Sequence, residues 1–246
     1  MNCETKLKIR DILLAGSVVI MRNYTKTVLL INSCHLAIER YQNMEEEIHL
    51  STTANIPEPL RLQPEYELTL EKEDLVEKYQ NEVQKQLYVQ YVTNSVSVVD
   101  GIFEDIYEVL LQEFEEGITE QQITNKLRSA WAQNNLINYF LEKTQIQDSE
   151  QTHLRIKEAF DRYLEYRIIR HALVHNKGIL SDKHIRQLDE LYDNADDISK
   201  ERSMRNSPFY ANKEVSLNIN ILLGIRKYLY SNVSYFLTAI DEINCE

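Results

Sequence analysis

An all-α fold follows from three features of this 246-residue chain. It contains only five Gly and four Pro, too few turn-formers for an all-β fold. Apolar residues recur at three- and four-residue steps over long stretches, as in Leu87, Val92, Val96, Val99, Phe103, Ile106, Tyr107 and Leu110. Hydrophobic residues make up 43% of the chain, enough to build a packed core and too many for global disorder. These features predict an up-and-down helical bundle with an N-terminal helical extension.

Residues 5–47 read as one or two helices with an acidic end at Glu45, Glu46 and Glu47. Within them, Ile12 to Met21 forms an apolar run after Lys6, Lys8 and Arg10. Glu4 and Asp11 interrupt the resemblance to a secretory signal and no small-residue cleavage site follows, so a buried helix is expected. Ser51 to Pro64 holds three of the four prolines, Pro57, Pro59 and Pro64, which remove amide donors and restrict the preceding residues. A linker is expected there, dividing an extension over 1–64 from a helical domain over 65–246.

Helical spacing returns from Glu71 to Glu116, with Gly101 inside the run either allowing close packing or marking a kink. Gly117 is a C-cap candidate, and Ile118-Thr119 opens a helix expected to run past Trp131 to about Lys143. Gln145 to Gln151 reads as a loop. The next helix starts near Thr152, and Phe160, Leu164, Ile168 and Ala172, with Ile169 and Leu173, form its expected buried stripe. Arg167, His171 and His175 form a second stripe at i, i+4 and i+8, and Gly178 supplies a stop. Ser181-Asp182 caps a helix through Tyr192. Asp193 to Pro208 reads as a polar, mobile segment, and a last helix spans about Val215 to Ile243.

The net charge of −12 argues against a general nucleic-acid coat protein. From His153 to Arg186, however, eight Lys/Arg face four Asp/Glu. Such a basic island in an acidic chain suits a small polyanion site, or is ordinary helix-surface charge. Cys3, Cys34 and Cys245 lie far apart with no CxxC pair, and an odd count without metal spacing fits a reducing cytosol. No apolar run approaches the ~20 residues that span a bilayer, so no membrane association is expected. The fifteen tyrosines read as packing and interface residues.

Arg170, His171, His175 and Asn176 fall within seven residues. An arginine holds phosphate charge and a histidine moves protons near neutral pH, which is the equipment for cutting RNA without a metal or other cofactor. Arg170 and His175 as the catalytic pair would serve internal transesterification, with His171 as a second proton carrier and Asn176 as an orienting group. On one helix Arg170 and His175 stand about 140° apart around the axis. Two such helices across a two-fold axis would bring the arginine of one subunit toward the histidine of the other, so a homodimer is expected. Asp100, Glu104, Asp105 and Glu108 place acid along the earlier long helix, where they either orient Arg170 or a histidine or form a solvated face. His171 and His175 also have metal-ligand spacing, but Ala172 stands where a zincin protease carries glutamate.

The Arg-x4-His core from Arg170 to His175 has polar His171 directly after the arginine and is followed by Asn176-x-Gly178. With its place late in an all-helical chain, it resembles the HEPN (higher eukaryotes and prokaryotes nucleotide-binding) superfamily over roughly residues 80–245. The resemblance implies a HEPN-like bundle that pairs two copies of the motif across a dimer. Many members are metal-independent RNases of toxin–antitoxin, abortive-infection or CRISPR systems. For this chain it therefore implies a cytoplasmic endoribonuclease acting on RNA in phage defence or growth arrest, with a possible antitoxin or trigger protein as partner. Lys177 stands where some HEPN toxins carry a modified tyrosine, so that mode of control is not implied. The alternative is an inactive HEPN module that binds a partner protein or nucleotide.

Overall fold

The computed structural model describes residues 1–44, 56–62, 70–148, 155–195, 197–202 and 212–245. Among these residues are nine α-helices and no strand; Ile179 and Glu214 form an isolated antiparallel bridge. The helices are α1 (Cys3–Gln42), α2 (Lys72–Glu77), α3 (Gln84–Phe114), α4 (Glu120–Arg128), α5 (Asn135–Thr144), α6 (Ile156–His175), α7 (Asp182–Asp193), α8 (Asp197–Arg202) and α9 (Ile219–Asp241). The chain is all-α among the described residues, and none of the described helices is long and apolar enough to cross a membrane.

The contacts divide the chain into two compact units, Met1–Tyr24 with Tyr91–Glu246, and Thr25–Gln90. The expected boundary at residue 64, and the acidic run at 45–47, lie outside the described residues. The first part of α1 belongs to the same unit as the Arg-His helix, because Ile9, Leu13 and Ile20 bury its inner face there. Gly16 lets α1 approach α3: a Cβ at that position would overlap the side chain of Ile102. At the start of α1, Lys6 Nζ donates to the carbonyls of Asp241 and Ile243, each at 2.7 Å, and satisfies acceptors at the end of α9. Cys3 and Cys245 are joined there by a disulfide, so the cysteine count no longer speaks for a reducing compartment.

The core of this unit is aromatic. Phe103 of α3 has the rings of Phe140, Phe160, Tyr163 and Phe236 within 6.1 Å of its own centroid. Helices α3, α5, α6 and α9 therefore share one packed centre, in which each ring removes a large apolar area from water. The second unit is smaller and packs Tyr41 and Leu75 with Ala37, Val76 and Tyr79 around them.

Several elements depart from the periodicity reading. Gly101 marks neither of the two features weighed for it: α3 runs through it as regular helix, and an added Cβ there would meet nothing within 4 Å, while the irregular turn is a π-helical segment at Lys78–Val83. The single helix expected from Ile118 to Lys143 is two. Thr119 caps α4 through a capping box with Gln122. The chain then breaks over Ser129–Asn134, where Gln133 (φ 50°) and Asn134 (φ 57°) adopt left-handed backbone before α5. No Gly or Pro marks this break. The polar segment after Asp193 contains the short helix α8, and residues 203–208 lie outside the described set.

Candidate active site

Helix α6 carries the motif. Its inner face buries Ile156, Ala159, Phe160, Tyr163, Tyr166, Ile169 and Ala172, so Arg167, His171 and His175 stand on another side of the same helix. Leu164 and Ile168, expected in the core, are only half-buried and line a groove instead. The helix ends in a glycine-terminated turn: Gly178 (φ 82°) donates its amide to Ala172 O at 2.9 Å, and Asn176 donates to the same carbonyl at 2.9 Å.

The groove has a volume of about 540 Å³. Arg167, Arg170 and His171 of α6 form one side, Lys183 and His184 of α7 another, and Trp131 and Asn134 at the helix break close it. Three cations thus converge on one cavity. Arg167 is engaged: its Nε donates to Asp100 Oδ1 at 2.6 Å, and its guanidinium carbon lies 3.9 Å from the Trp131 ring centre. Arg170 donates through Nε to Ser97 Oγ at 3.0 Å. Neither Arg170 nor Lys183 has an ion pair among the described residues, so each keeps charge for a ligand.

The expected orienting acids do not reach Arg170 or a histidine. Asp100 accepts from Arg167 and lies 2.8 Å from the hydroxyl of Tyr163, while Glu104 accepts from Trp131 Nε1 at 2.7 Å. One turn apart on α3, the two carboxylates brace the wall of the groove. Burial pushes the Tyr163 phenol well above its ordinary range, and the nearby Asp100 carboxylate adds to this.

The histidines form a chain. His171 stands with its ring centroid 4.7 Å from that of His175 and 4.9 Å from that of His184, and His171 Nδ1 lies 3.0 Å from His184 Nε2. Burial first, then His175, Lys183 and Arg170, lower the pKa of His171 from its ordinary value. Burial first, then His171 and Lys183, lower that of His184. His171 and Arg170 share the groove; His171 is itself exposed at the groove surface, His175 is exposed outside the groove lining, and Asn176 caps the helix end. The structure therefore brings together Arg170 and His171 in one chain but sets His175 off to the side, as the helical offset requires.

The sequence reads His184 as an isolated histidine with surface or core placement, whereas it is buried against His171, and Lys183 carries no signal of its own. The available signal was Ser181-x-x-His184, which puts a histidine at the third helical position of a capping box, where Glu or Gln is usual. A second groove, of about 480 Å³, runs between α6 and α9 past Arg155, Arg162, Tyr166, Lys227 and Tyr228. Among the described residues lining it there is no histidine or cysteine. Among the described residues no cluster of three or more His, Cys, Asp or Glu is arranged to hold a metal ion. No family model, no curated protein and no solved structure matches this chain.

Proposed function

We propose that the chain is a metal-independent endoribonuclease of HEPN type, acting as a homodimer in the cytoplasm, in a defence or growth-arrest role. The observation that supports this most is the groove beside the Arg-x4-His motif. It combines two cations that have no carboxylate partner among the described residues, Arg170 and Lys183, with a hydrogen-bonded histidine pair. A phosphodiester is the ligand that uses all of these: the cations bind its oxygens, and hydrogen-bond donors stabilise the charge that builds on them in the transition state.

In this reading the ribose 2′-oxygen forms a bond to phosphorus as its proton passes to His175. The bond from phosphorus to the 5′-oxygen breaks, and that oxygen takes a proton from His175 of a second copy. The products are a 2′,3′-cyclic phosphate and a 5′-hydroxyl. A dimer is invoked because one helix holds Arg170 and His175 about 140° apart around its axis.

The test is cleavage of RNA in excess chelator by wild type, Arg170→Ala and His175→Ala. Cyclic-phosphate ends from the wild type, lost by about 10²–10⁴-fold in His175→Ala, are expected. RNA that binds without being cut would make the groove a binding module.

A further inference from the structure

The proton on His171 is placed by a residue outside the motif. The backbone amide of Ser181 lies 3.2 Å from His184 Nδ1. A backbone N–H can only donate, so this ring nitrogen is the acceptor and the proton of neutral His184 sits on Nε2. That Nε2 faces His171 Nδ1 at 3.0 Å, which therefore accepts, leaving the His171 proton on its own Nε2. A second proton on His171 would set two N–H groups against each other. The charged groups around the ring act the same way: Arg170 and His175 from α6 and Lys183 from α7 all oppose a cation there, and among the described residues Glu190 is the one acid lining the groove.

We infer that His184 is a positioning residue that holds His171 as a neutral Nε2–H donor, so that His171 hydrogen-bonds to a phosphoryl oxygen in the groove and carries no proton in the reaction. This replaces the role of second proton carrier expected for His171, and it rests on the reading of the groove as a phosphodiester site. No bond to His171 forms or breaks. A neutral imidazole donating from a fixed nitrogen stabilises a developing oxyanion without having to be recharged between turnovers.

The state of the ring is tested on the ¹⁵N-labelled full chain by long-range ¹H–¹⁵N spectra of the imidazoles, taken above their ordinary value of 6.5. The expected result is His171 protonated at Nε2 and bare at Nδ1. In His184→Asn, whose carbonyl keeps the Ser181 cap but cannot reach His171, the two tautomers should mix. Protonation of His171 at Nδ1, or spectra unchanged by His184→Asn, overturns the inference.

The role of the ring is tested with His171→Gln, whose amide can donate from about the position of Nε2. Cleavage within about tenfold of wild type with an unchanged pH profile is expected, against a larger loss in His171→Ala. A loss in His171→Gln of the ~10²–10⁴-fold typical of a missing proton carrier overturns it. Should the wild type cut no RNA, the ribonuclease reading fails alone and inorganic phosphate becomes the probe. It should shift the His171 Nε2–H signal in wild type and not in Arg170→Ala, and no response in wild type overturns the donor role.

Discussion

Arg167 lies over Trp131, with its guanidinium carbon 3.9 Å from the ring centre and its Nε 2.6 Å from Asp100 Oδ1. The same side chain is thus held by a carboxylate and by an aromatic face, while Arg170, three residues on, has neither among the described residues. Two arginines of one helix have separate tasks: one supports the wall of the groove and one is left for a ligand.

Asp100→Asn should therefore destabilise the fold by roughly 1–3 kcal/mol, because it leaves a partly buried guanidinium without its counter-charge. Arg170→Ala should change stability by no more than about 0.5 kcal/mol, since its one described partner is the exposed Ser97. Trp131 is the only tryptophan, so its emission during denaturant unfolding follows both variants. Equal losses from the two would sink this division of labour.

The histidine pair makes stability depend on pH in a defined direction. Both His171 and His184 have pKa values below their ordinary 6.5, so the unfolded chain binds protons more readily than the folded one. Stability is then fully present above about pH 6.5 and declines as the pH falls below it, through the lowered folded values. Denaturant midpoints across that window should drop in wild type, and less so in His184→Asn. A midpoint that rises on acidification, in the window where only the histidines titrate, would contradict the neutral pair.

The helices were legible in the sequence because their cores repeat at helical spacing, and Arg170 and His171 were legible because they sit one after the other on a single helix. The groove was not. Its wall depends on a break between α4 and α5 made by Gln133 and Asn134 in left-handed backbone, which no glycine or proline announces. His184 is thirteen residues from His171, on a different helix, and reaches it only because Gly178 reverses the chain between them. Spacing arguments see neighbours on one element and miss partners brought together by a turn. The pairing of Cys3 with Cys245 escaped for the same reason, since 242 residues separate them.

That turn gives the last prediction. Gly178 stands at φ 82° between His175 and the Ser181 cap, with its amide on Ala172 O and its carbonyl accepting from Val215 N at 2.8 Å. An added Cβ would meet Val215 O at 3.7 Å and Leu173 Cδ2 at 3.8 Å, which are ordinary contacts. The cost of Gly178→Ala is therefore conformational, about 1–2 kcal/mol for a left-handed alanine. Lys177, at φ 54°, already accepts that penalty, so Lys177→Gly should be close to neutral as the relief offsets the extra chain entropy of glycine. Thermal unfolding of the two variants separates these outcomes. Because the turn sets α7 against α6, Gly178→Ala should also loosen the contact of His184 with His171, seen as tautomer mixing in the His171 imidazole. An alanine variant as stable as wild type, with the His171 ring unchanged, would show that the turn does not hold the pair.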